Sequence, residues 1–478
     1  MSHRVSALLR LLTTALLSLS LITLSAPTLP TATAQADEPW KIAKKSFSHH
    51  TAGYLSKVSI LAGSPLQAFV TCKAKSFELE YFRMGYYDGA GALSVGKTDP
   101  QPCTRQVVPV RESNYLAIKA HWINPVSIDT TNFEPGIYLI KIWASDGTAA
   151  FMPLVIRSPS VAGAVVIAMP DLTSLAYNQW GGASAYSAAG GFENRARNLS
   201  FDLPFQDGFG SGIFLNYLNP LLTLATQMNL NLAYVSDVDV ATIPGLLNGA
   251  MSYVSAGHDE YWTQEERDAV LKARSEGTNL LFFGANVSYW RIRLTGGSDT
   301  TNPDVSIYKS SANDPDKSAP TIRFRDTGAH EETLTGLKYR CFPASGNFTV
   351  KNPDSFVFAG TGVKKGDSFP GLIGPEVDAF NGAKYFPGEL SIIASTAISC
   401  GHVVRRNSHA EMSYGVDPKT GAATIAVGTM DWVMRGLSRE APAASSSLAI
   451  KMTENILRAA NVGPIGLQYP IAASEVER

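Results

Sequence analysis

The pattern of hydrophobic positions changes near residue 160. Before this point, apolar and polar residues alternate in short runs, and turn dipeptides such as Asp88-Gly89 separate the runs. Four runs have the composition and alternation of strands: Phe77–Phe82, Tyr115–Ile118, Gly136–Trp143 and Ala150–Ile156. This region therefore predicts an N-terminal β-sandwich domain over residues 37–160.

After residue 160, continuous apolar runs alternate with helical patterns. Ala164–Met169 has no polar position, which is typical of a central strand in a parallel sheet that is covered on both faces. Gly421–Val427 and Met452–Ala460 predict the last strand and a closing helix. We expect a multidomain β plus α/β fold. Its second part, residues 161–465, is predicted to be a doubly wound α/β domain of the flavodoxin-like or glutamine-amidotransferase-like type, followed by a C-terminal tail at 466–478.

The stretch from Met251 to Arg293 predicts a strand, a helix and a second strand. Met251–Ser255 is short and apolar, as a buried strand would be. Thr263 and Glu266 have the spacing of a capping box, which marks the start of the helix. Asn279–Phe283 then supplies the second buried strand, so the stretch predicts a βαβ unit.

Polar residues follow both strands of this unit. His258 and Glu260 come after the first strand, and Asn286 comes after the second. Because the carboxyl ends of parallel strands meet at one edge of a sheet, and residues two apart project to one side, we expect these three side chains to share a crevice. The alternative is that they cap strand ends and tie loops together. The Asn-, Asp- and Gly-rich tract at 295–318 predicts a surface loop that could cover the crevice.

Composition and charge narrow the class of partner. A chain of 478 residues with 17% charged residues is long enough to bury two or three cores. The formal net charge of -1 shows no basic excess, so we expect no nucleic-acid partner.

The first 36 residues predict an export signal. Arg4 and Arg10 precede the apolar run Leu11–Ala26, and Ala34-Gln35-Ala36 supplies small residues for cleavage. An uncleaved membrane anchor remains an alternative, because the apolar run approaches spanning length. No later segment is apolar for long enough to span a bilayer, so we expect a secreted or extracytoplasmic protein without stable membrane insertion.

The four cysteines agree with an oxidising compartment. Because two lie in each predicted domain, the favoured pairs are Cys72 with Cys103 and Cys341 with Cys400. Three connectivities and free buried thiols remain open. Zinc is not expected, because no Cys or His pair has ligand spacing.

Several motifs resemble one known family. They are A-Y-N-x-W-G-G at 176–182, D-L-P-F at 202–205, G-H-D-E-Y-W at 257–262, G-A-N-x-S-Y-W-R-I-R at 284–293, R-M-G-Y-Y-D-G-A-G-A at 83–92 and P-G-I-Y-L-I-K-I at 135–142. Taken together, these motifs resemble those of the large-subunit family of N,N-dimethylformamidase. The resemblance covers most of the chain after the predicted signal.

The resemblance implies a mononuclear ferric iron held by two tyrosines and one glutamate. Carried over by motif, Glu260, Tyr177 and Tyr138 would be the metal ligands, and His258 and Asn286 would assist amide hydrolysis. Phenolate and carboxylate are hard oxygen donors, which suit a hard trivalent cation. For Tyr138 the alternative is a tyrosine packed in the core across neighbouring strands. If Tyr138 is a ligand, the site forms between the two predicted domains.

We therefore expect an exported, iron-dependent hydrolase acting on non-peptide linear amides, with a small-molecule amide as substrate. A homo-oligomer or a small accessory subunit remains open as a partner. The main alternative is an exported, non-catalytic protein that binds carbohydrate or cell wall, with Tyr86, Tyr87 and Trp180 as stacking surfaces. A glycosidase would need a second acid opposite Glu260.

Overall fold

The computed structural model describes residues 38–43, 50–109, 119–206, 213–401 and 406–477. The predicted signal at 1–36 and the predicted strand Tyr115–Ile118 lie outside these residues. The strands are β1 (Thr51–Leu55), β2 (Ser59–Ile60), β3 (Gln67–Cys72), β4 (Ser76–Met84), β5 (Ala92–Lys97), β6 (Gln101–Pro102), β7 (Val126–Ser127), β8 (Gly136–Ala144), β9 (Ala149–Ile156), β10 (Val165–Met169), β11 (Asn198–Ser200), β12 (Leu232–Ser236), β13 (Ser252–His258), β14 (Tyr261–Thr263), β15 (Asn279–Ala285), β16 (Trp290–Thr295), β17 (Asp304–Ser306), β18 (Lys338–Cys341), β19 (Gly346–Thr349), β20 (Ser368–Ile373), β21 (Val377–Ala379), β22 (Glu389–Cys400), β23 (Arg406–Val416) and β24 (Ala423–Ala426).

Helices connect and cover these strands. The α-helices are α1 (Asp171–Tyr177), α2 (Asn219–Gln227), α3 (Asp237–Thr242), α4 (Gln264–Ser275), α5 (Glu332–Thr335), α6 (Ala443–Ala460) and α7 (Ile465–Gln468). Short 3₁₀ turns occur at Tyr87–Gly89, Phe192–Asn194, Phe324–Thr327, Phe356–Phe358, Ala383–Tyr385 and Ala473–Glu475, and π-helical turns at Phe214–Leu218 and Trp432–Leu437. Among the described helices, none has the length and apolarity needed to cross a bilayer.

The segment before residue 160 forms two sheets. One has the order β2-β9-β8-β4-β5, with β6 also on β4, and the other has the order β1-β3-β7. In the central strand β8, Tyr138 and Ile140 pack with residues of the three-stranded sheet, while Ile137 and Leu139 pack in a second core. Because both faces of β8 are covered, the strand is almost continuously apolar.

A seven-stranded sheet follows, in the order β12-β10-β13-β15-β24-β23-β22. Its first five strands are parallel, and β23 and β22 are antiparallel. The molecule is therefore a multi-sheet β and α protein, as expected at this level. The domain boundary near residue 160 stays a prediction.

The predicted βαβ unit is β13, α4 and β15. Thr263 caps α4, because its hydroxyl accepts a hydrogen bond from the Glu266 backbone N–H at 3.0 Å. The predicted capping box is only half formed. The Glu266 carboxyl is fully buried and does not accept the Thr263 backbone N–H that a complete capping box requires.

A smaller sheet is connected to the carboxyl ends of two parallel strands, β13 and β15. It has the order β11-β17-β16-β14, and β14 begins directly after Glu260. The tract at 295–318, predicted as a loop, contributes β17 to this sheet, since Asp304–Ser306 pairs with both β16 and β11.

Two disulfides confirm the favoured cysteine pairs. Cys72 is bonded to Cys103, and Cys341 is bonded to Cys400. Disulfides are rare in reducing compartments, so both bonds are consistent with an oxidising one.

Candidate active site

Glu260 lies between two tyrosine phenols. The Tyr177 hydroxyl donates to Glu260 Oε2 at 2.8 Å, and the Tyr186 hydroxyl donates to Oε1 at 2.6 Å. The two phenol rings stack with their centroids 4.8 Å apart, and Glu260 is 1% exposed. Three oxygen-bearing side chains therefore converge on one buried point.

The local chain geometry brings these groups together. Tyr177 ends the short helix α1, and the chain then turns back so that the Ala185 N–H donates to the Ala176 carbonyl at 2.8 Å. This turn places Tyr186 beside Tyr177. On the other side, the Thr173 hydroxyl of α1 accepts from the Glu260 backbone N–H at 3.0 Å, which ties the end of β13 to the helix that carries Tyr177.

The electrostatics of the cluster keep both phenols protonated. Burial raises the pKa of Tyr177 and of Tyr186 well above the ordinary value of 10.0, and the negative charge of Glu260 raises both pKa values further. The phenol protons fill the space between the tyrosines and the carboxylate. A cation in that space would replace those protons and would favour the phenolate forms.

The donor set fits a hard trivalent cation. Two phenolates and one carboxylate supply three hard oxygen ligands. Over the described parts of the chain, no three His, Cys, Asp or Glu side chains converge to hold a metal. A metal at Glu260 would therefore depend on the two tyrosines.

His258 faces the same cluster. Its Nε2 lies 3.7 Å from Glu260 Oε2, and its ring centroid lies 4.9 Å from that of Tyr177. Burial lowers the pKa of His258, although the charge of Glu260 opposes this change. The imidazole is therefore biased toward its neutral form, in which one ring nitrogen can accept a proton. Its Nδ1 has no hydrogen-bond partner among the described residues.

Asn286 follows β15 in a left-handed backbone conformation, with φ of 59°. Its backbone N–H donates to both carboxylate oxygens of the buried Asp378, at 3.0 and 3.2 Å. The Tyr289 N–H donates to the Glu260 carbonyl at 2.9 Å, so the loop after β15 is tied to the segment that carries Glu260. The Asn286 side-chain Oδ1 is buried without a partner in the described chain.

Two glycines allow the strand ends to approach. Gly257 and Gly284 are paired across β13 and β15. A Cβ atom on Gly284 would lie 2.2 Å from the Gly257 carbonyl oxygen, and a Cβ atom on Gly257 would lie 2.2 Å from the Tyr217 Cβ. Gly284 therefore lets β15 lie close to β13, and Gly257 lets the π-helical turn that carries Tyr217 lie close to β13, just before His258.

The residues of this site lie within the region that matches a known family. The N,N-dimethylformamidase beta subunit-like, C-terminal family matches residues 78–443, which is more than half of the chain. The chain belongs to the N,N-dimethylformamidase beta subunit-like family. The match confirms the family resemblance drawn from the motifs.

Other comparisons add little to this family assignment. No curated protein matches the sequence. Among solved structures, a cycloisomaltooligosaccharide glucanotransferase of Paenibacillus sp., complexed with cycloisomaltoheptaose, is similar at 9% identity and a TM-score of 0.16. The similarity covers 55% of this chain and 34% of that one, so it spans about a third of the glucanotransferase's length. At this TM-score the likeness carries no argument.

In this N,N-dimethylformamidase-like chain, Tyr138 lies apart from the cluster. Its hydroxyl donates to the Glu134 carbonyl at 2.7 Å, and its ring stacks on Phe133 with centroids 5.1 Å apart. The side chain is fully buried in the core between the two N-terminal sheets. The structure therefore does not bring Tyr138 to Glu260, because β8 is a central strand and turns this residue into its own core. The second phenol on Glu260 is Tyr186.

The sequence patterns did not point to two further titratable residues of this family member, Lys309 and Glu376. Lys309 Nζ donates to the Tyr261 hydroxyl at 2.6 Å and lies 3.4 Å from the Tyr186 ring centroid. Burial lowers the pKa of Lys309 to about 7. The second residue, Glu376, lies beside the Asn286 side chain. Burial raises the pKa of Glu376 well above its ordinary value, and the charge of Glu260 raises this pKa further. Glu376 is therefore biased toward its neutral, protonated form.

Proposed function

We propose that the protein is an iron-dependent amide hydrolase in which Tyr177, Tyr186 and Glu260 hold one ferric ion. The observation that carries the proposal is the convergence of both phenol hydroxyls on the two oxygens of one buried carboxylate. Membership of the N,N-dimethylformamidase beta subunit-like family supports amide hydrolysis as the reaction. The substrate class we propose is a small, non-peptide, linear amide.

A bound ferric ion would supply a Lewis acid that polarises the amide carbonyl and lowers the pKa of water. His258 would move the proton. Its Nε2 lies on the Glu260 side of the ring, so this nitrogen would accept the proton of the attacking water and pass it to the leaving amine. Because the imidazole is buried and biased toward neutrality, it can accept a proton near neutral pH.

Asn286 and Glu376 would act on the other side of the substrate. The Asn286 amide can donate a hydrogen bond to the oxygen on which negative charge develops, and its backbone is held in place before substrate binds. The Asn286 side chain also lies close enough to Glu376 to lower the pKa of that carboxyl, against the larger effect of burial. A protonated Glu376 would donate to the departing nitrogen or to the substrate carbonyl.

The fold and the compartment complete the proposal. Counted along the chain, the five parallel strands have the order 2-1-3-4-5, which is the order of flavodoxin-like sheets and supports a doubly wound arrangement. The two disulfides and the N-terminal sequence support export.

The test is metal content and colour in the purified, full-length protein. We expect about one iron per chain and a visible phenolate-to-iron charge-transfer band. Tyr177→Phe and Tyr186→Phe should each weaken the band and reduce iron content. Tyr138→Phe is the matched control, because it removes a buried phenol that does not touch Glu260, and it should leave both unchanged. Folded, iron-free and colourless protein, inactive on a panel of small amides, would refute the proposal.

The carbohydrate-binding alternative loses one of its surfaces. Trp180 is 7% exposed and packs edge-on against Trp122 with centroids 5.8 Å apart, so it cannot serve as an open stacking platform. Tyr86 and Tyr87 are half-buried, and they line a cleft that also contains the charged residues Arg83, Asp88 and Glu134. A glycosidase role is not favoured either, because both oxygens of Glu260 are engaged by phenols.

A further inference from the structure

Two motifs that the proposed reaction does not use meet at one cleft. Residues of the segment Arg83–Asp88 form one wall, and Glu134 and Pro135 form the next. The cleft has a volume of about 620 Å³, which is within the range of small-molecule sites. It includes Leu232, the first residue of β12, so it lies at the amino end of a parallel strand. Glu260 follows the carboxyl end of β13, so the cleft is separate from the candidate active site.

The cleft contains an arginine without a charged partner. Arg83 Nη2 donates to the Pro135 carbonyl at 2.7 Å, but in the described chain no carboxylate forms an ion pair with this guanidinium. A Cβ atom on Gly136 would lie 2.8 Å from Arg83 Nε, so the glycine makes room for the arginine side chain. The two motifs together therefore place an unneutralised guanidinium in the cleft.

Tyrosine hydroxyls add to the donors around this guanidinium. Tyr234 is 6% exposed and lines the cleft, and its hydroxyl has no hydrogen-bond partner in the part of the chain that the structure describes. Tyr87 lines the same cleft, and its phenol lies beside the Arg83 guanidinium, which opposes the rise in pKa that burial causes. A guanidinium with neighbouring phenol donors is suited to a carboxylate, which accepts two parallel N–H bonds from arginine.

The backbone holds Tyr87 in a strained conformation at this place. Tyr87 and Asp88 have φ of 42° and 54°, and a bulky residue rarely adopts such values. The 3₁₀ turn fixes them, since the Gly89 and Ala90 N–H groups donate to the carbonyls of Tyr86 and Tyr87 at 2.9 and 3.0 Å. Strain of this kind is concentrated at ligand-binding and active sites, because other contacts must maintain it.

The rim of the cleft carries the opposite charge. Asp88 and Glu134 are exposed and line the opening. These two carboxylates would repel a polyanion and would attract an ammonium group. We propose that this cleft binds a small zwitterion of the amino-acid type, with its carboxylate on Arg83 and the Tyr234 hydroxyl and its ammonium group toward Asp88 and Glu134. The proposal does not depend on the amide hydrolase function.

Calorimetric titration of the full-length protein tests the site, with L-alanine, acetate and methylammonium as probes. We expect L-alanine to bind, acetate to bind more weakly, and methylammonium not to bind. Arg83→Gln should weaken L-alanine binding at least tenfold, since it removes the charged donor. Tyr234→Phe removes only one hydroxyl and should weaken binding severalfold, which keeps the test valid if Arg83→Gln does not fold.

Two control variants locate any binding that is observed. Tyr385 lies outside the cleft, so Tyr385→Phe should leave the affinity for L-alanine unchanged. Tyr186→Phe changes the candidate active site and should also leave the affinity for L-alanine unchanged. The proposal is overturned if no probe binds at millimolar concentration, if folded Arg83→Gln and Tyr234→Phe proteins bind L-alanine like the wild type, or if Tyr186→Phe alone abolishes binding.

Discussion

Asp378 should make the protein less stable as the pH rises, although it supports the candidate active site. Its carboxyl is 3% exposed and accepts the Asn286 N–H with both oxygens. Burial raises the pKa of Asp378 from 3.8 to about 7, and the Asn286 hydrogen bond only partly opposes this rise. The folded protein therefore holds a proton on Asp378 at pH values where the unfolded chain has released it.

The sign and size of the effect follow from this difference. Below pH 3.8 both states are protonated and Asp378 contributes no pH dependence. Between pH 3.8 and about 7 the unfolded state loses its proton first, so the free energy of unfolding falls as the pH rises. Each pH unit of that interval is worth about 1.4 kcal/mol, so ionised Asp378 lowers the free energy of unfolding by about 4 kcal/mol above pH 7.

Asp378→Asn is the matched perturbation, because it keeps the shape of the side chain and removes the titration. In metal-stripped protein, we expect the variant and the wild type to unfold at similar temperatures near pH 4, and the variant to unfold at a higher temperature near pH 8. Asp354→Asn, at an exposed position, is the control. A difference between variant and wild type that does not change with pH would refute the reasoning.

The same substitution should reduce activity. Asn286 would exchange a carboxylate acceptor for an amide, and its left-handed backbone would be held less firmly. Above pH 7 the Asp378 carboxyl of the folded protein is ionised, and hydrogen bonds to charged groups contribute about 1.5–3 kcal/mol, so a fall in kcat of about tenfold or more is expected on an amide substrate at pH 8. In Asn286→Ala protein, adding Asp378→Asn should cause little further loss, because the two changes act through one residue. Additive losses would show that Asp378 acts elsewhere.

Three further predictions follow from single contacts. At pH 6, below the Lys309 pKa of about 7, Lys309→Met removes the positive charge above the Tyr186 ring, so the charge-transfer band of iron-loaded protein should move to longer wavelength; an unmoved band would show that Tyr186 is not a ligand. Thr263→Ala removes the cap of α4 and should lower the free energy of unfolding by about 1 kcal/mol, measured by denaturant titration. Replacing Cys341 and Cys400 by serine opens a crosslink across 59 residues and should cost about 4 kcal/mol by chain entropy; an unchanged unfolding midpoint would contradict this.

Local signals explain what could be predicted about the fold and the site. The βαβ unit has an apolar strand, a capping threonine and a second apolar strand, so its elements were predictable within a few residues. Parallel strands then bring their carboxyl ends together, which is why His258 and Asn286 lie near Glu260. Their chemical roles stay predictions until metal content and activity are measured.

The second phenol was not predictable from such signals. Tyr186 lies in a loop rich in glycine, alanine and serine, where no periodicity points to a site, and its partner Glu260 is 74 residues away. Tyr138 lies in a motif that resembles the family, but a tyrosine in a central strand can equally be a core residue. In this structure Tyr138 packs in the core between the two N-terminal sheets. Lys309 reaches Tyr261 across 48 residues for the same reason: tertiary packing, not local sequence, brings them together.

The absence of side chains at Gly257 and Gly284 limits how this protein can be re-engineered. Alanine at Gly284 would push β15 away from β13, and alanine at Gly257 would push the π-helical turn that carries Tyr217 away from β13. Laboratory evolution toward new amides should therefore recover almost no substitutions at these two codons, while nearby wall positions vary. The spacing between His258 and Asn286 would be inherited as a fixed frame, and new specificity would have to come from the surrounding loops.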